Sequence, residues 1–445
     1  MYHKRLVPYL FSGLLMISIT SCEKDEQQIS FPKPQLAAEL ADNGKDSTTV
    51  GASLVLHPKL GNVTDAGYSW TVNGTKMGAD SVFTFKPVAA GDYKIRLRTV
   101  TKGGDVNLNY QIHVWAKYEN GFYIVNEGWF GHGSGTVSFY RYDTQAMEDS
   151  LFVKENPGKD LGSVASTLQS GVIFNKKLFL VVKAGGPVVV TDQYSLKEQS
   201  RIPATAGSYW LSFVGIDANK GLLSSTTGLY PLDLNTLAIG TKITGLNGQT
   251  GDLIKQGNYI FALSQTDGVV ILNASDLTVV KKIAGASVGF TRTTDGAVWA
   301  AGTTKIFKIS PVTLEVETTT VPFTIFGSWG AWHPGSISAS TKENAIYFAR
   351  SGSFGGGTMI YKYIPGNTAS LQAPFATLPA GKIFYGAGVS YNAALNRLLV
   401  TTVQSGFGDN YKVNNLYFYD PVTADIKKTV TYDGFYFPSV IVSHQ

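Results

Sequence analysis

The chain has 445 residues, of which 44% are hydrophobic, 12% aromatic and only 16% charged, with 48 glycines. That is too apolar for a disordered protein and fits an all-β chain with many turns. The formal charge of +5 is nearly neutral for this length, and no basic run carries interleaved aromatics, so nucleic acid is excluded as a partner.

In chain order, Lys4 and Arg5 precede the apolar run LVPYLFSGLLMIS, which holds Pro8 and is too short for a stable membrane span. The run ends in Ile19-Thr20-Ser21-Cys22, and Cys22 is the one cysteine of the chain. An internal disulfide is therefore impossible. The segment resembles a bacterial lipobox, which implies a signal peptide over 1–21 and lipidation of Cys22. The acidic Glu23-Lys24-Asp25-Glu26 that follows is similar to the surface-export signal of Bacteroidota lipoproteins. Residues 22–35 then read as a polar tether, closed by Pro32 and Pro34.

Residues 36–116 hold alternating segments such as YSWTVNG, SVFTFKP and DYKIRLRTV, separated by Asn-Gly and Gly-Asp turns. Short strands at this spacing around a central Trp70 predict an Ig-like sandwich. The domain resembles the PKD type, although WTVNG stands where that family has WDFGDG, so only the fold is implied.

Beyond residue 117 an internal repeat emerges. GFYIVNEG (121–128), KLFLVVKAG (177–185), GLLSSTTG (221–228), NYIFALSQTDG (258–268), GAVWAAGT (296–303), AIYFARSGS (345–353) and RLLVTTVQSG (397–406) are apolar strands that run into polar turns. Each is followed by a second strand and a weaker third, and preceded by a short Gly/Ser-led one. Seven copies of four strands predict a seven-bladed β-propeller over 117–445. The first copy lacks its leading strand, so the C-terminal segment 437–443 is expected to close the ring as the innermost strand of blade one. Residues 258–283 resemble the repeat of YncE-like propellers, and YIVNEGWFGHGSGTVSFY (123–140) is similar to the opening of a Bacteroidota surface-lipoprotein branch of that group.

In a four-stranded antiparallel blade A-B-C-D, the B–C turns and the D–A connections emerge on one face. Those loops hold Trp129, Phe130, His132, Tyr209, Trp210, Trp329, Trp332, His333, Arg350, Phe384, Tyr385, Phe407, Tyr411 and Tyr436, whereas A–B turns such as DANKG and STKEN are plainly polar. The one-sided set predicts a ligand-binding rim. The competing role for each ring, above all Trp329 and Trp332, is to fill the central channel.

No histidine pair has metal-ligand spacing, and no nucleophile or phosphate-loop motif stands in the right context. Glu127 and Asp409 are the scattered carboxylates of the rich face. The expectation is a binding protein, not an enzyme, with no cofactor and no metal. Related surface propellers include cobalamin-capturing lipoproteins that sit over a TonB-dependent transporter, so the resemblance implies a corrinoid as the leading small-molecule ligand, that transporter as partner, and a lipid-anchored place on the outer membrane at the cell surface. A structural or adhesive propeller that binds a protein or glycan is the alternative, with a propeller enzyme behind it.

Overall fold

The computed structural model describes residues 29–40, 45–61, 65–204, 207, 209–352 and 356–444. Cys22 and its apolar leader lie outside them. The chain divides into two compact units, the larger made of Val88–Gly91 and the residues from Val114 onward.

In the smaller unit, Lys45–Thr49, Gly104–Trp115, Gly91–Thr101, Gly67–Val72 and Thr75–Gly78 form one sheet in that order. Leu54–Leu56 pairs with Phe83–Phe85, and Gln35–Ala37 with Lys59–Gly61. The alternation read from DYKIRLRTV is realised directly: Ile95, Leu97 and Thr99 point inward, and Lys94, Arg96 and Arg98 point outward. Trp70 is fully buried, stacks on Phe83 at 5.2 Å, and donates its indole N–H to the Asp80 carbonyl at 2.8 Å. It is a core residue of a PKD-like domain.

The larger unit is a propeller of seven antiparallel sheets. The innermost strands are Pro438–Ser443, Thr167–Phe174, Trp210–Gly215, Thr250–Gln256, Ala286–Arg292, Ile337–Ala339 and Lys382–Asn392. Each packs against the next, and the seventh packs against the first. Seven apolar clusters fill the seven gaps between blades, each built from both neighbours. Blade one takes its inner strand from the far end of the chain, with Tyr123 opposite Val442 and Val125 opposite Val440. Serines of the inner strands tie blades to one another: the Ser439 hydroxyl donates to the Gln169 carbonyl at 2.6 Å, and that of Ser170 to the Leu211 carbonyl at 2.8 Å.

Two departures from seven equal copies have local causes. Blade one has an outer strand of two residues, Met147–Glu148, followed by a short helix, Leu151–Glu155, whose Leu151 and Phe152 plug the gap to blade two. Blade three has three strands, its fourth reduced to a bridge between Leu232 and Ile239. Pro231 sits in its third strand with its carbonyl facing outward to Gly240 N at 2.8 Å. A proline has no N–H to return that bond, so the fourth strand loses a rung where it would begin.

Candidate functional site

The long connection from blade five to blade six holds the Trp-rich segment. Ile325 pairs with Arg350, Ser328 N–H donates to the Ser287 carbonyl at 2.9 Å, and Gly335 N–H donates to Asp252 Oδ2 at 2.7 Å. These bonds carry the segment from blade six past blade five to the inner strand of blade four. Trp332 is thereby laid over Gly251, where a Cβ would stand 2.2 Å from the indole nitrogen. Only glycine leaves room for the ring there.

Trp332 is 3% exposed. Its backbone carbonyl accepts from Lys183 Nζ at 3.0 Å. The same ammonium pairs with Glu127 Oε1 at 3.1 Å, both side chains almost shielded from water, and the Tyr385 hydroxyl donates to Glu127 Oε2 at 2.8 Å. Burial first, and then the neighbouring Glu127 charge, push the Tyr385 phenol well above its ordinary range, so it stays a donor. A salt bridge this enclosed is costly unless hydrogen bonds support it, and here each carboxylate oxygen has a donor.

Above this polar floor lies a cavity of about 440 Å³, lined by loops of blades one to four and by the Trp332 connection. Phe130 and Tyr209 are its exposed walls, Leu211 and Trp332 its apolar base, and Gln249 and Thr226 its polar edge. Below Trp332 a channel of about 220 Å³ continues along the axis, with Asp252 as its carboxylate. Trp332 thus lines the upper cavity, while the channel is lined by inner-strand residues and by Pro334 and Gly335 of the same connection.

A second cavity, of about 500 Å³, opens on the same face between blades six and seven and takes in Arg350, Phe407 and Tyr411. A run of rings joins the two: Tyr385 to Phe437 at 5.2 Å, and Phe437 to Tyr411 at 5.6 Å.

Other expected rim residues line neither cavity. Trp210 is 6% exposed, in the core between blades two and three, edge-on to Tyr230; Phe384 is 1% exposed, between blades six and seven. Each immediately neighbours a residue that does face the site, Tyr209 or Tyr385, and strand alternation turns one of every such pair inward. Trp129 is sandwiched between His132 at 3.7 Å and Phe435 at 4.1 Å, so its two faces are already covered. Trp329 packs half-buried against the core between blades four and five. His333 stacks on Phe326 at 4.8 Å and bonds the Pro334 carbonyl; burial holds its imidazole below the ordinary range. Tyr436 packs on Tyr432.

Lys183 is the residue sequence reasoning missed. The signal was present in KLFLVVKAG, as a lone charge at the mouth end of an otherwise apolar strand. Glu127 was noted only as a scattered carboxylate, and Asp409 is exposed and paired with Lys412 at 2.8 Å. Among the described residues no group of three or more His, Cys, Asp or Glu side chains is placed to hold a metal ion. The cavity offers aromatic walls, a neutralised ion pair and amide and hydroxyl edges, the mix that recognises a partly apolar molecule.

A family model described as "domain of unknown function (DUF5074)" matches residues 120–444, and a PKD-like domain model matches residues 34–101. The comparison with curated proteins found no match. Among solved structures, a quinoprotein alcohol dehydrogenase-like protein from Bacteroides thetaiotaomicron is similar at 20% identity and a TM-score of 0.61, covering 92% of this chain and 99% of that one. Dihydro-heme d1 dehydrogenase NirN is matched at 11% identity and a TM-score of 0.46, over 72% of this chain and 74% of its own. At 20% identity the Bacteroides likeness shows the fold alone.

Proposed function

We propose, for a chain that belongs to the DUF5074 family across nearly its whole propeller, that the protein captures a small molecule in the axial cavity. One observation carries this reading. Loops from four consecutive blades and the Trp332 connection converge on an open apolar cavity whose floor is a satisfied Glu127–Lys183–Tyr385 network. Such a floor holds its shape without a ligand, and a preformed pocket saves the ordering cost of binding.

The ligand we favour is a corrinoid such as cobalamin, a large, partly apolar ring system with amide arms. Phe130, Tyr209 and Trp332 suit the ring, and Gln249 and Thr226 suit the arms. The lipobox resemblance around Cys22 supports a lipid-anchored protein on the outer face of the outer membrane, from which a TonB-dependent transporter would receive the ligand. Glycan capture is less favoured, because Trp129, the ring best placed at the rim to stack on a sugar, is covered by His132 and Phe435.

Calorimetric titration with cyanocobalamin tests the site. Phe130→Ala with Tyr209→Ala removes two exposed rings and is expected to weaken binding by about 2 kcal/mol or more while leaving Tm unchanged. Equal binding by the wild type and the double variant would place the ligand elsewhere. For the anchor, Cys22→Ser is expected to move the protein from the membrane fraction to the soluble one, and retention in the membrane would refute it.

A further inference from the structure

We propose that the second cavity, between blades six and seven, is a separate site for a planar acid, meaning a carboxylate, sulfonate or phosphate carried on a flat ring. Arg350 would grip the anionic head while Phe407 and Tyr411 hold the ring. The argument begins with charge. Arg98, Arg141, Arg201 and Arg397 each meet a carboxylate, and Arg96 and Arg292 each donate to a side-chain amide oxygen. Arg350 is half-buried, and among the described residues no carboxylate lies within ion-pair distance of it. Its side-chain hydrogen bond is to the Met359 sulfur at 3.5 Å, a weak acceptor for a group with five N–H donors. The Phe323 ring, 5.7 Å from the guanidinium carbon, steadies the cation from the other side without neutralising it. A guanidinium held in place, partly out of water and short of acceptors, is a site for an oxyanion.

The rings supply the second half of the recognition. Phe407 is 55% exposed and stands edge-on to Tyr411 at 5.8 Å. Its backbone has φ 60° and ψ 176°, a conformation that a phenylalanine adopts at a cost. Its exposed ring borders the cavity together with Tyr411 and Arg350. Among the described residues no acidic side chain lines this cavity, and Ser405 and Thr358 add hydroxyls to its wall. The inference does not depend on the ligand of the axial cavity.

The probe is 8-anilinonaphthalene-1-sulfonate, an aromatic anion whose fluorescence reports binding, titrated into the full folded chain. The wild type is expected to bind one equivalent more tightly than it binds the neutral N-phenyl-1-naphthylamine. Arg350→Gln should weaken the sulfonate about tenfold or more and leave the neutral amine unchanged, since a lost charged hydrogen bond is worth at least that factor. Phe407→Ala, in a variant whose Tm matches the wild type, should weaken both probes. The pair Phe130→Ala and Tyr209→Ala should alter neither. Unchanged sulfonate affinity in Arg350→Gln or in Phe407→Ala would overturn the proposal, as would loss of the sulfonate in the axial-cavity pair.

Discussion

The Tyr385 hydroxyl donates to Glu127 Oε2 at 2.8 Å across 258 positions of sequence, binding blade seven to blade one at the mouth of the ring. The other oxygen of that carboxylate faces Lys183 of blade two. Three blades therefore meet at one buried charge. Removing the Lys183 partner leaves that charge alone, so Lys183→Met is expected to destabilise the propeller by about 3–5 kcal/mol. Tyr385→Phe, which deletes one hydrogen bond, should cost about 1–2 kcal/mol. Urea unfolding followed by circular dichroism ranks the two. Equal midpoints would mean that water already reaches the carboxylate.

Gly251→Ala tests the seating of Trp332. The new methyl would stand 2.2 Å from the indole nitrogen, so the ring or the inner strand of blade four must move. Overpacking of this kind costs about 1–3 kcal/mol. Acrylamide should quench more indole fluorescence in Gly251→Ala than in the wild type, and the difference should vanish when Trp332→Phe is added to both. A difference that persists would assign the change to another tryptophan.

Asp252 gives the propeller a pH dependence of known sign. Burial along the axis raises its carboxyl to about 7 from the ordinary 3.8, and the Gly335 N–H opposes this only in part. The folded state thus keeps the proton to about pH 7, whereas the unfolded chain releases it near pH 4. Between those values rising pH favours unfolding, and above about 7 the cost is complete. Asp252→Asn keeps an oxygen for Gly335 and has no charge to bury. Its Tm should exceed that of the wild type at pH 8, by an amount worth about 1–4 kcal/mol, and the gap should close at pH 4. A gap that is constant across this range would show that the carboxyl titrates normally.

Deletion of residues 438–445 should destabilise all seven blades together. It strips the inner strand from blade one and bares the Gly121–Asn126 edge together with the flank of Lys382–Asn392. Scanning calorimetry should show a single transition at lower temperature, with aggregation. Two transitions, one at the original Tm, would show that blade one unfolds by itself.

The ring was legible because its repeat is written in apolar strands that recur with their turns, and because the missing leading strand of the first copy pointed to 437–443 as its replacement. The third blade was less so: LYPLDL reads as a strand, and the consequence of Pro231 for the strand beyond it depends on which way one carbonyl faces. The site was legible as a face but not as a set of side chains. Topology sends Tyr209 and Trp210 to the same rim, yet only the pleat decides which of them turns inward. Lys183 escaped because its partners, Glu127 and the Trp332 carbonyl, are brought near it only by the curvature of the ring.

Closure by Pro438–Ser443 also sets a clock. The partner of Gly121–Asn126 is the last propeller strand to be synthesised, so assembly order cannot follow synthesis order. Blades two to seven can form from neighbouring hairpins as they emerge, but blade one waits with an unpaired edge until the chain is made. Pairings between such distant segments form slowly, and an edge left waiting invites the wrong neighbour. If release of that one strand is the step that opens the ring, the lifetime of the finished protein is set by a rate rather than an equilibrium.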